Sequence, residues 1–121
     1  MNFLPPDEEF YIYHELFLDA LYLLAESAET LCERMGNFNV AWELKRDLES
    51  AGARLVSSSG GNLSELQQSA IQTFLSQLAL VPDSILRATS SRGENIIAMS
   101  HDSWSPVRRD AIEIVGLLKH A

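Results

Sequence analysis

Ser100, His101 and Asp102 stand side by side and are the residue types of a serine-hydrolase relay. That relay is an arrangement in space and not a tripeptide, and the chain has no Gly-x-Ser-x-Gly elbow to expose a nucleophile. Asp102 or Ser103 is therefore expected to cap a turn. His14 and Glu15, with Glu8 and Asp19 nearby, are metal-ligating types. Carboxylate-bridged metal bundles, however, draw Glu-x-x-His pairs from several helices, and the chain contains no such pair. Gly60-Gly61 lacks the lysine that follows a phosphate-cradling loop. Cys32 lies next to Glu33, and acids raise a thiol's pKa rather than lower it. It reads as a small, half-buried packing residue. Carboxylates are plentiful, but those on a convex helix lack the water-excluding cleft that acid–base catalysis needs. The residue types thus point to no enzyme, no metal and no cofactor.

The acids themselves are patterned. Glu8, Glu15, Asp19, Glu26, Glu29 and Glu33 recur at gaps of three, four or seven, which return to one face of a helix. Tyr11 and Tyr22 fall on or beside that face. The opposite face carries Phe10, Phe17, Leu21, Leu24, Ala28, Leu31 and Met35. Like charges three or four residues apart cost a helix about 0.2–0.5 kcal/mol per pair, so a role outside folding, such as meeting a basic partner, is expected. The alternative is a solvated face that aids solubility. The first 50 residues carry eleven acids and three bases, hence the whole net charge of −8, while the rest of the chain is neutral. This asymmetry argues against a nucleic-acid or anionic-membrane surface, both of which want lysine and arginine. A negative field can steer a basic protein into contact.

These residues need helices to position them, and the apolar spacing is helical almost throughout. With 121 residues and 46% apolar content, one all-α domain is expected over residues 1–121: a bundle of about five to six helices that starts with a long antiparallel hairpin. Helix one should run from about residue 7 to Met35, where Gly36-Asn37 stops it. Helix two should run from about Phe38 to Ala51, with Ala41, Leu44, Leu48 and Ala51 inward and Gly52 as its end. Residues 54–62 read as a flexible Ser/Gly connector, with Leu55-Val56 extended. Ser64-x-x-Gln67 is a capping box for a helix whose inner stripe is Leu63, Leu66, Ala70, Phe74 and Leu78. A short helix from about 83 to 90 follows Pro82, then a turn at 90–93, then a helix from Glu94 to Ser100 with Ile96, Ile97 and Met99 inward. Ser105-Pro106 reads as cap and first residue of the last helix, with Trp104 as a staple and Val107, Ala111, Ile114, Val115 and Leu118 inward. Arg108-Arg109 oppose that helix's dipole and are expected to pair with acids of helix one or with Asp102.

Two further signals bear on location. The N-terminal region is acidic where a signal peptide is basic, and the apolar run 10–24 is interrupted by His14, Glu15 and Asp19 and is too short to span a membrane. With a single cysteine and so no internal disulfide, a cytoplasmic protein is expected. Ile12, Leu16, Leu18 and Leu23 lie outside the main apolar stripe. Either helix one is covered on two sides, or it makes a dimer contact.

In size, acidity, helical character and want of catalytic residues the chain resembles the immunity proteins of bacterial toxin systems, such as those of contact-dependent inhibition or secreted nuclease toxins. The resemblance implies a stoichiometric inhibitor that binds a toxin domain and blocks its active site. Nuclease toxins hold a phosphate backbone and are basic, so an acidic face suits them. The expected contact residues are Glu15, Asp19, Glu26, Glu29 and Glu33, with Tyr22 and Trp42 as aromatic anchors and Glu43 and Asp47 on the adjoining helix. Two other readings stand beside it. One is a self-associating structural or adaptor protein, motivated by the excess apolar surface of helix one. The other is a small-molecule-binding or enzymatic bundle with a pocket lined by His14, Tyr13 and Tyr22.

Overall fold

The computed structural model describes residues 6–36, 39–86 and 91–119. Asn37, the expected start of helix two at Phe38, the part of the expected 83–90 helix that follows Leu86, and the start of the expected turn at 90 lie outside them. The described residues form six α-helices and no strand: α1 (Pro6–Ala25), α2 (Ala28–Met35), α3 (Val40–Ser57), α4 (Glu65–Ala79), α5 (Arg92–Met99) and α6 (Trp104–Leu118), with a 3₁₀ turn at Asp83–Ile85. This is the all-helical bundle that the periodicity predicts.

Contacts between side chains fix the register of four of these helices. Arg54 donates to the Tyr13 hydroxyl at 2.9 Å, and Phe17 lies against Gly52, so α1 and α3 are antiparallel. Gly52 also meets Leu75, and Lys45 donates to the Val81 carbonyl at 3.3 Å, so α3 and α4 are antiparallel too. Gln67 donates to the Leu117 carbonyl at 2.9 Å, and His14 Nε2 lies 3.1 Å from that of Leu118. Arg108 at the start of α6 reaches Leu24 near the end of α1. The result is an up-and-down ring in the order α1, α3, α4, α6. The shorter α2 and α5 pack on each other, and α5 also rests on α3. One apolar cluster fills the ring, with Phe10, Phe17, Leu21, Leu44, Leu48, Leu55, Phe74 and Trp104 among its fully buried members. Phe17 and Phe74 meet edge to face at 5.8 Å.

Several expectations need correcting. The first helix does not run unbroken to Met35. It ends at Ala25, and Ser27, in extended conformation, caps α2 by accepting from the Thr30 amide at 3.2 Å. Gly52 does not end a helix: α3 continues through it to Ser57, so Leu55-Val56 is helical, Leu55 is fully buried, and the connector begins only at Ser58. Glycine is needed there for closeness, since an added Cβ would stand 3.0 Å from both Phe17 and Leu75. On α4 the capping box forms as expected, but Leu66 points outward and Ile71 fills the core. Arg92-Gly93 is no turn but the first residues of α5, capped by Ser91. That helix buries Asn95, Ala98 and Met99 and leaves Ile97 exposed. The last helix starts at Trp104 rather than after Ser105, and Trp104 is a core residue of α6 instead of a staple outside it.

Among the described residues Arg108 pairs with no acid. Its guanidinium donates to the carbonyls of Leu24 and Met99, at the C-terminal ends of α1 and α5. Those carbonyls lack helical partners and carry the negative end of the dipole, so a cation suits them. Burial lowers the pKa of Arg108 from its ordinary value, and nearby Cys32 acts the other way. Across the same end of the bundle the buried Asn95 Oδ1 accepts from the Val40 amide at 3.3 Å, at the N-terminus of α3. Asn39, the residue placed to cap that helix, makes no side-chain bond there.

Two substitutions probe this framework by urea denaturation. Gly52→Val overpacks the α1–α3–α4 approach and should cost about 1–3 kcal/mol. Arg108→Met keeps the side chain's bulk but leaves two helix ends uncapped, and should cost about 1.5–3 kcal/mol.

Candidate functional site

The break after Ala25 divides the acidic stripe between two helices. Glu15 and Asp19 stand exposed on α1. Glu26, in the break, lies 3.6 Å from Arg34 in the one ion pair among the described residues. Glu29 and Glu33 are exposed on α2, which packs on α5 rather than on α3. The acids expected on one face of a single helix, Glu15, Asp19, Glu26, Glu29 and Glu33, are therefore divided between α1, the break and α2. What the fold does bring together is a subset of the expected contact residues along the seam between α1 and α3.

That seam is an open groove of about 500 Å³. Its α1 wall is Tyr13, Leu16, Asp19, Ala20 and Leu23, and its α3 wall is Leu44, Asp47, Ser50, Ala51 and Arg54. The antiparallel register that pairs Tyr13 with Arg54 and Phe17 with Gly52 brings Asp19 within about one turn of Asp47 on the opposite wall. Both carboxylates are exposed, and neither makes an ion pair among the described residues. The groove floor is small and apolar, with Ala20 and Ala51 buried. One end is closed by Arg54, whose guanidinium bonds the Tyr13 hydroxyl and lies 5.5 Å from its ring.

Large apolar side chains are exposed on α1: Leu16, 52% exposed, lines the groove, whereas Tyr11, Ile12 and Tyr22 do not line it, and Tyr22 is 46% exposed. Leu18 and Leu23 are half-buried against the core, so α1 is covered on two sides, by α3 and α6, yet still presents apolar surface. On α3, Trp42 is 45% exposed and lies under the Arg46 guanidinium at 5.2 Å. Trp42, Glu43, Arg46, Asp47 and Ser50 line a shallow depression that shares Asp47 and Ser50 with the groove. A larger open hollow of about 710 Å³ on the other side of Trp42 is lined by Lys45, Arg46, Glu49, Ser50, Asp83 and Leu86 as well.

The pocket expected from His14, Tyr13 and Tyr22 does not assemble. His14 faces α6 and Leu118, Tyr22 faces out, and Tyr13 alone lines the groove. His101 Nδ1 accepts from the Ser103 amide at 3.1 Å and meets its hydroxyl at 2.8 Å, a local turn rather than a relay. No cluster of three or more metal-ligating side chains occurs among the described residues, and no described helix is long and apolar enough to cross a membrane. The contributions of Ser50 and Arg54 escape sequence reasoning, which places Tyr13 in a different pocket. Their signal was present in the hairpin itself, because helices that run antiparallel make a seam, and its walls are the positions flanking each core stripe.

Cys32 is 2% exposed, and burial pushes its thiol pKa up, against the opposing pull of Arg92 and Arg108. No known protein family, curated protein or solved structure matches this chain.

The thiol has a measurable consequence. In the unfolded chain it loses its proton near its ordinary value of 9.0, and in the folded chain only at higher pH. Above that point the unfolded state holds fewer protons, so stability must fall as pH rises. Unfolding free energies measured from pH 7 to 10.5 should show an alkaline decline that is smaller in Cys32→Ala, with the two slopes equal below pH 8.

Proposed function

We propose that this chain is a non-catalytic protein-binding module that neutralises a basic protein, most simply as an immunity protein covering the active site of a nuclease-type toxin domain in a bacterial cytoplasm. The observation that carries the reading is the pairing of uncompensated carboxylates, Asp19 and Asp47, with the exposed Leu16 in the α1–α3 groove and the exposed Trp42 in the depression beside it. Acids alone would serve solubility. Large apolar groups set among them suit an interface, in which aromatic anchors supply affinity and charge supplies rate and selectivity. The contacts are proposed to run from Glu15, Asp19 and Tyr22 across to Trp42, Glu43 and Asp47. Glu26, Glu29 and Glu33 extend the negative field toward α2.

Ile12 and Leu16 also favour a second reading, self-association through the outer face of α1, because both are exposed in a single copy. The two readings differ in their response to salt. An electrostatically steered complex weakens as ionic strength rises, whereas an apolar homodimer holds.

The test is affinity capture from the native host at 50 and 500 mM salt, with mass spectrometry of what is retained. A basic protein held in near-equal amount, and weakened by salt, is the expected outcome. Glu15→Lys with Asp19→Lys should weaken that complex at least tenfold, and Trp42→Ala should cost about 2 kcal/mol of binding, with melting temperatures unchanged. Recovery of the chain alone as a salt-resistant dimer would replace this reading with self-association.

A further inference from the structure

We infer that the α1–α3 groove receives one amphipathic helix of the basic partner, with an arginine or lysine set between Asp19 and Asp47 and apolar side chains on the Leu16–Leu23 wall. The inference rests on the reading above and narrows it to one surface and one kind of occupant.

The dimensions come first. Each wall spans ten residue steps, from Tyr13 to Leu23 and from Leu44 to Arg54. At the helical rise this is about 15 Å, or nearly three turns of an occupant. A helix laid along such a groove places side chains at i, i+3 or i+4, and i+7 into it. The floor suits close approach, since Ala20 and Ala51 put no bulk between the walls. Leu16, half exposed, supplies apolar area that nothing among the described residues covers.

Charge selects the occupant. Asp19 and Asp47 enter the middle of the groove from opposite walls, and neither has a cationic partner among the described residues. Arg54 is committed to Tyr13 at the end of the groove and does not neutralise its centre. A phosphate or a carboxylate would meet two like charges there. A second copy of the chain fares no better, because the apolar residues exposed on its own α1 lie among Glu8, Glu15 and Asp19. A guanidinium or ammonium flanked by apolar residues satisfies both the floor and the carboxylates, and as a planar fork arginine can bond the two at once.

A phage-displayed library of 16-residue helical peptides, selected against the full chain, tests this even before the natural partner is identified. Enriched peptides should carry a central arginine or lysine with apolar residues three or four positions to either side. Synthesised and titrated by fluorescence anisotropy, they should bind at least tenfold more weakly to Asp19→Lys/Asp47→Lys and to Leu16→Glu. Leu66→Glu, on the exposed side of α4 across the ring, should change binding less than twofold. Thermal melts establish that each variant is folded. No enrichment, enrichment of peptides without a basic residue, or binding indifferent to the groove variants would each overturn the inference. The wider reading fails separately: if host capture yields a basic partner sensitive to Glu15→Lys/Asp19→Lys but indifferent to Leu16→Glu and Asp47→Lys, the groove alone is wrong, and if it yields no basic partner the reading itself falls.

Discussion

Three helices converge on Gly52, and their approach there governs the rest of the bundle. The missing side chain lets Phe17 of α1 and Leu75 of α4 close on the α3 backbone from two sides. Phe17 is then fully buried and meets Phe74 edge to face. This packing fixes the level of α1 against α3 as well as their distance. Because the two run antiparallel, one fixed level sets all others: Tyr13 falls beside Arg54, and Asp19 and Asp47 reach the same groove from opposite walls. The groove on the outer side of the same seam is therefore a consequence of core packing on its inner side. A glycine inside a helix ordinarily costs about 0.5–1 kcal/mol relative to alanine, and here that cost is offset by the contacts that the absent methyl group permits.

At the other end of the seam the bundle meets a different demand, the satisfaction of helix ends. α1 and α5 stop where the chain turns, and their last carbonyls face the start of α6. Arg108 is placed to bond both. Its position looks unfavourable on α6 alone, where a cation sits near the positive pole. It becomes favourable once the negative ends of two neighbouring helices are counted. Asn95 does the converse for α3, offering a buried oxygen to the Val40 amide from 55 residues away. The ends of the helices are thus tied to one another rather than each to its own flanking residues.

This explains which parts of the fold were legible in the sequence. Periodicity identifies helices and their core faces wherever one face is clearly apolar, as in α3 and α6, and the Ser64–Gln67 capping box marks its boundary without ambiguity. The break at Ser27 was invisible to periodicity because apolar residues on both sides of it keep a helical spacing. Only the capping preference of serine hinted at it. In α4 and α5 apolar residues occur all round the helix, so Leu66 and Ile97 competed with Ile71 and Ala98 for the core, and tertiary packing decided. Gly52 was misread as a stop because a glycine that ends a helix and one that admits a neighbour look alike in sequence. Of the candidate site, the residues were legible and their grouping was not, since Asp19 and Asp47 become neighbours only through the α1–α3 register.

The acidic surface also changes meaning once each charge is placed. Two of the acids that looked costly on one long helix are compensated locally: Glu26 has Arg34, and Glu29 lies in the first turn of α2, where a negative charge is favoured by the dipole. Glu43 has the same support in the first turn of α3. Ordinary fold stability accounts for them, whatever partner the protein meets. Glu15 and Asp19 on α1 and Asp47 on α3 have no such compensation, for they stand in the middle of their helices, and no ion pair among the described residues neutralises them. They are also the acids nearest in register to the exposed Leu16 and to the apolar floor of the groove. Two groups unfavourable for the isolated chain, unpaired carboxylates and uncovered apolar side chains, occur together where a single basic, amphipathic occupant relieves both.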